Sequence, residues 1–257
     1  MQYLPNTLFV IALIAGLSFF GMNIRKIFRN INLGRSIDRT DNRSERWKNM
    51  IKIALGQSKM VRRPFSGFLH IIVYVGFIII NIEVLEIIID GILGTHRVFQ
   101  KFIGAGFYAF LIGTFEILAA LVFIAVILFW TRRNIANIKR FLSSEMKGWP
   151  KMDGNIILYF EMVLMTLFLV MNATDTPFQN AGIGNPISQF IAPLFDGFSL
   201  EALHVIERSA WWFHILGILV FLNYLFYSKH LHILLAFPNT FFANLNAKGQ
   251  FNNLESV

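Results

Sequence analysis

The 257 residues include no cysteine, so neither a disulfide nor a cysteine-ligated iron–sulfur cluster can form within the chain. Any such cluster belongs to a partner or to a continuation. Acidic residues are also scarce, 15 against 23 Lys and Arg, for a net charge of +8. In a soluble protein that balance would point to nucleic acid. Here 55% of the residues are hydrophobic and the apolar runs are too long for buried core helices, so basic residues first report membrane orientation. The first apolar run lacks a basic stretch ahead of it, which argues for a retained helix rather than a cleaved signal. No internal repeat is visible.

Five apolar stretches are present, at about residues 8–24, 66–94, 103–130, 155–172 and 200–235. They predict an all-α, polytopic five-helix bundle over residues 1–235, with 236–257 as a cytoplasmic tail or the start of a linker. Between the first two lies a polar loop in which residues 44–56 form a candidate surface helix with Trp47, Ile51 and Leu55 on one face. Residues 187–195 suit the interface, and Ser199 is a fitting N-cap for the last helix. Of the 23 basic residues, twelve fall in the 25–63 loop, six in the 131–153 loop and two in the tail, Lys229 and Lys248. The opposite side has only Arg97, Lys101 and Arg208. The asymmetry places the N-terminus outside and the C-terminus in the cytoplasm of a bacterial or archaeal cytoplasmic membrane.

The chemistry centres on residues 211–242, where His214 and His232 stand eighteen residues apart. On one continuous helix that is five turns, about 27 Å, and puts both imidazoles on one stripe; His230 falls about 160° away. With the stated topology His70 shares the cytoplasmic depth of His232. Two neutral imidazoles on facing helices can hold a six-coordinate haem b in an apolar slot, here flanked by Phe68, Tyr74, Tyr224 and Tyr227. Arg62, Arg63, Lys229 and His230 stand where haem propionates would emerge. Taken singly, His96, His204 or His230 reads as an amphipathic side chain reaching toward headgroups.

The run His214 to His232, followed by Ile233 and Pro238 and preceded at its end by Ser228-Lys229, resembles the last helix of the respiratory nitrate reductase gamma subunit. It resembles still more closely the membrane domain of heterodisulfide-reductase-like iron–sulfur oxidoreductases, where Ser-Lys-His-Leu-His precedes a cytoplasmic, cluster-binding part. This resemblance implies a five-helix membrane cytochrome b carrying electrons between the quinone pool and an iron–sulfur partner on the cytoplasmic side. In the gamma subunits the second helix carries two histidines about ten residues apart; here His70 matches the first and Ile80 stands at the second. Three arrangements are open for His214: sole ligand of an outer haem, a haem partner from an outer loop such as His96 or His204, or no outer haem and a hydrogen bond to quinone.

Four carboxylates, Glu83, Glu86, Glu116 and Glu161, lie at or within the membrane, where each is costly unless protonated, paired or facing a cavity. Glu83 and Glu86 are at the depth where the resemblance puts quinol oxidation, as candidate proton acceptors. The rival reading, from another class, is a haem-free anchor or transporter that moves protons or metal through the intramembrane His and Glu.

Overall fold

A computed structural model describes residues 4–136, 138–246 and 249. In chain order the helices are α1 (Leu4–Asn32), α2 (Arg43–Met50), α3 (Pro64–Leu93), α4 (Val98–Ile103), α5 (Ala105–Asn134), α6 (Trp149–Thr174), α7 (Thr176–Ala181), α8 (Ser188–Ile191), α9 (Leu200–Tyr224) and α10 (His232–Phe241). No strand occurs among the described residues. Five helices are long and apolar enough to cross a membrane: α1, α3, α5, α6 and α9 with the turn that follows it. The all-α, five-span architecture is as expected. Most spans overrun their apolar cores, because charged side chains at a helix end reach water without breaking the backbone ladder.

The fifth span departs from expectation. Instead of continuing to residue 235, the α-helix ends at Tyr224, tightens into a 3-10 turn over Leu225–Tyr227 and breaks at Ser228, which is extended (φ −121°, ψ 156°). A second 3-10 turn, Lys229–Leu231, leads into α10. The cause is Asp153 on α6, only 3% exposed. Its carboxylate accepts from the Tyr224 hydroxyl at 2.7 Å and from the Lys229 backbone N–H at 3.2 Å, while the Ser228 hydroxyl accepts from the His230 N–H at 3.1 Å. Local side-chain acceptors outcompete the helical carbonyls for these amides. His214 and His232 therefore do not share one straight helix, and the five-turn phase does not set their relation.

Bundle packing relies on close approach, since lipid offers no hydrophobic drive between helices. α3 packs on α5, α5 on α6 and α6 on α9, and α1 lies against both α3 and α9. A Cβ at Gly76 would meet Val122 Cγ2 at 2.5 Å, and one at Gly217 would meet Leu164 Cδ2 at 2.9 Å. α1 buries little beyond Phe9, Leu13 and Asn23 and turns Leu8, Ile11, Ile14 and Leu17 outward. Phe9, 1% exposed, is wedged against Trp211 and Trp212, with ring centroids 5.4 and 6.0 Å away.

At one end the polar stretches meet. Arg46, from the polar 25–63 loop, is 3% exposed. It donates to the carbonyls of Phe241 (3.1 Å) and Ala243 (2.9 Å), while Asn49 donates to that of Thr240 (2.5 Å). These groups satisfy the terminal carbonyls of α10, which otherwise lack partners. Trp47 meets the Phe241 ring at 5.4 Å, so the expected surface helix docks on α10. Arg132 reaches Ser66 at 3.2 Å and Lys229 reaches the Pro150 carbonyl at 2.8 Å. The three arginine- and lysine-rich stretches thus share one end; Lys248 and most of the 236–257 tail lie outside the described residues. At the other end the Ser199 side chain caps α9, accepting from the Ala202 N–H at 3.2 Å.

Gly91 tests the α1–α3 contact, since a Cβ there would come 2.5 Å from the Phe9 ring. Gly91→Val is expected to cost about 1–3 kcal/mol by overpacking, read as a lowered thermal midpoint in detergent. Gly106→Ala, at a site with nothing within 4 Å, is the control. Equal midpoints for the two variants would show that Phe9 repacks freely.

Candidate functional site

The chemistry-bearing side chains fall into three layers along the bundle. At the arginine-rich end, His70 from the second turn of α3 joins His230 and His232 from the segment after the Ser228 break. The three imidazoles are near enough to feel one another's charge, and the rings of His230 and His232 stack with centroids 5.5 Å apart. Nδ1 of His70 and Nδ1 of His230 are buried without a protein partner. A buried polar atom left unpaired is rare enough to need a reason. Burial first, then the neighbouring His232, holds the His230 imidazole down at about 4, so it is neutral at physiological pH. His232 is exposed, and its Nδ1–H donates to the Lys229 carbonyl at 2.9 Å. A carbonyl only accepts, so this bond fixes the tautomer and leaves Nε2 with a free lone pair.

The second layer is at the middle of the bundle. His214 falls at the midpoint of the Leu200–Tyr227 span, and Glu161 at that of Trp149–Thr174, so His214 is not near a membrane surface as the single-helix reading implied. The His214 ring is buried, with Nδ1–H donating to the Leu164 carbonyl at 3.0 Å; Nε2 is again free. Together with Ile80, Asn81 and Glu161, His214 lines a largely apolar cleft between α3, α5, α6 and α9. The position where the resemblance expects a second axial histidine thus lines the same cleft as His214, and it is filled by an isoleucine.

The third layer, at the far end, was largely missed from the sequence. Arg97, in a left-handed conformation (φ 52°), donates to Asp175 (2.8 Å), Asn172 (3.0 Å) and the Tyr108 hydroxyl (3.4 Å) and stacks over Phe178, 4.0 Å from its centroid. His96, expected as a candidate partner of His214, instead binds Asp175 through Nε2 at 3.2 Å, and His204 is an exposed residue near Glu207. Asp90 accepts from the Thr95 hydroxyl and from the N–H groups of Arg97 (2.8 Å) and Val98 (3.2 Å). The signal for Asp175 was present in Asp175-Thr-Pro, an N-cap followed by a helix-starting proline. Nothing comparable marked Arg97.

The intramembrane glutamates now separate. Glu86 accepts from the Phe99 N–H (2.8 Å) and the Tyr108 hydroxyl (3.0 Å). Glu116 accepts from Asn172 (3.0 Å) and from the N–H groups of Ile187 and Ser188 (both 2.9 Å). Both anchor neighbouring elements. Glu83 differs, because its Oε2 is buried and has no partner.

Fold and site together define a multi-pass helical membrane protein with histidines gathered at one end and at mid-depth. Among curated proteins, the chain is 29% identical over 213 residues to the probable iron-sulfur-binding oxidoreductase FadF of Bacillus subtilis, covering 81% of this chain and 28% of that protein. It is 21% identical over 234 residues to the EtfAB:quinone oxidoreductase of Syntrophomonas wolfei, covering 86% of this chain and 31% of that protein. The chain therefore spans less than a third of the length of these relatives. No family profile and no solved structure matches it. Relatedness to iron–sulfur oxidoreductases, together with the membrane-type helices, fits an electron-transfer role.

Two outcomes test the far-end network. Arg97→Ala strands the buried Asp175 carboxylate and is expected to cost about 3–5 kcal/mol, measured by unfolding in detergent. Burial alone would raise the Asp175 carboxyl, but hydrogen bonds from His96 and Arg97 and the Arg97 charge hold it well below the usual carboxylate range. With its native value depressed, its contribution is present above the ordinary value of 3.8 and is lost as pH falls below it. Asp175→Asn should flatten the stability–pH curve there, and a curve parallel to wild type would contradict the assignment.

Proposed function

We propose that the chain is the membrane cytochrome b part of a quinone-linked iron–sulfur oxidoreductase, with one haem b held between His70 and His232. What supports this is the meeting of imidazoles from two separate elements at one end, with a tautomer-fixed Nε2 on His232 and a buried, unpartnered Nδ1 on His70. His70 and His232 would each offer haem iron the lone pair of a neutral imidazole. When bound, the haem supplies one-electron transfer. The protein's residues do the rest: the Lys229 carbonyl orients His232, Asp153 anchors the chain break that brings it beside α3, and Arg62, Arg63 and Lys229 offer cations to the propionates. His230 is the alternative ligand or a propionate contact.

His214, Asn81 and Glu161 form the quinone subsite, where a free imidazole lone pair, an amide and a carboxyl converge in an apolar cleft. No outer haem is assigned, since Ile80 lines the cleft together with His214 and His96 is engaged by Asp175. The basic end faces the cytoplasm and the N-terminus lies outside, following the loop charges. There the chain meets an iron–sulfur partner or domain, which that charge steers.

A dithionite-minus-oxidised spectrum should show one low-spin b haem per chain, lost in His70→Ala and retained in His214→Ala. Ile80→His should add a second low-spin haem by supplying the missing ligand across the cleft. A wild-type chain without haem would favour the transporter reading; an unchanged low-spin spectrum in His70→Ala would remove the ligand assignment. Association with the iron–sulfur partner is expected to weaken as salt rises, and indifference to ionic strength would point to a hydrophobic or covalent link.

A further inference from the structure

We infer that a proton route joins the mid-depth cleft to the face opposite the arginine-rich loops, with buried Glu83 as its inner station and His96, held in place by Asp175, as its mouth. Glu83 is 4% exposed and, unlike Glu86 and Glu116, leaves one carboxylate oxygen with no protein partner. That side chain lines a small cavity shared with Asp90, Arg97, Asp175, Glu207 and Arg208, with room for about one water molecule. The same cavity shares His96, Asp175, Glu207 and Arg208 with a wide cleft open at the surface. Each end of the path is thus bounded by ionisable groups, and His96, with a side chain 48% exposed, stands in the open cleft.

The inner end abuts the quinone subsite. One turn inward from Glu83 on α3 is Ile80, and one turn inward from Trp211 on α9 is His214. Ile80 and His214 line the mid-depth cleft, whereas Glu83 and Trp211 line the small cavity. The groups around Glu83 are Glu86 and Asp90 of its own helix, His96 and Arg97 of the turn before α4, Tyr108 and Glu116 of α5, Asp175 after α6, and Glu207 and Arg208 of α9. A carboxyl with a free oxygen beside a water-sized polar cavity can exchange a proton with that water; a carboxyl saturated by backbone amides, such as Glu116, holds structure instead. In use, the route would carry the protons that a quinone takes up or gives up with its electrons. This use rests on the quinone reading above, while the route itself does not.

The test is infrared spectroscopy of the full chain in lipid nanodiscs during a switch from H₂O to D₂O. A protonated-carboxyl stretching band absent from Glu83→Gln should shift promptly in wild type. In Asp175→Asn, and in the milder His96→Phe, the shift should be about a hundredfold slower, the scale at which a positioned side chain assists proton transfer. Absence of a Glu83 band, a band that does not exchange in wild type, or wild-type exchange in both mouth variants would each overturn the route. The measurement needs neither haem nor quinone. A chain lacking quinol-reducible haem would defeat the proposed function and leave this result standing on its own.

Discussion

A charge buried at the edge of a membrane must find its partners inside the protein, and at the far end of this bundle the Arg97 guanidinium meets that demand. It engages Asp175, Asn172 and Tyr108 and covers the Phe178 ring, so one side chain ties the turn after α3 to α5, α6 and α7. Its backbone N–H is taken by Asp90. The left-handed backbone at Arg97, unfavourable for a residue with a long side chain, persists because several partners over-determine it. With this end closed by hydrogen bonds, α3, α5, α6 and α9 can leave an apolar cleft at mid-depth into which only Asn81, Glu161 and His214 bring polar atoms.

At the opposite end the corresponding constraint is Asp153. Its carboxylate draws Tyr224 and the Lys229 amide together and so interrupts the fifth span between its mid-depth histidine and its terminal pair. The interruption has a geometric consequence. A continuous helix would carry His230 and His232 on opposite faces, whereas the 3-10 turn stacks their rings and brings both within electrostatic reach of His70. Docking of α2 on the carbonyls of α10 through Arg46 and Asn49 then fixes the direction in which the chain leaves this site.

Between these ends the molecule separates two kinds of polar group. Saturated ones, Glu86, Glu116 and Asp90, hold helices and loops together. Groups with a free lone pair or oxygen, His70, His214, His232 and Glu83, line cavities or cluster with one another, and they form an ascending series from one face toward the other. That ordering is compatible with the electron-transfer role suggested by similarity to iron–sulfur oxidoreductases.

Length and apolarity alone determined the five membrane spans, because a helix must satisfy its own backbone in hydrocarbon and about 20 apolar residues are needed to cross it. The one-sided distribution of Lys and Arg was equally legible, as was the Ser199 cap, which depends only on neighbours in sequence. The pairing of His70 with the histidines after α9 could be anticipated from depth. What sequence could not reveal was the break at Ser228, since the acceptor that causes it, Asp153, lies on another helix some seventy-five residues away. Nor could it show that His96 serves Asp175 rather than His214, that Ile80 and His214 line one cleft, or which of the four glutamates are saturated by protein partners. Those outcomes depend on which side chains tertiary packing brings within hydrogen-bonding distance, a relation between helices that no periodicity along a single helix encodes.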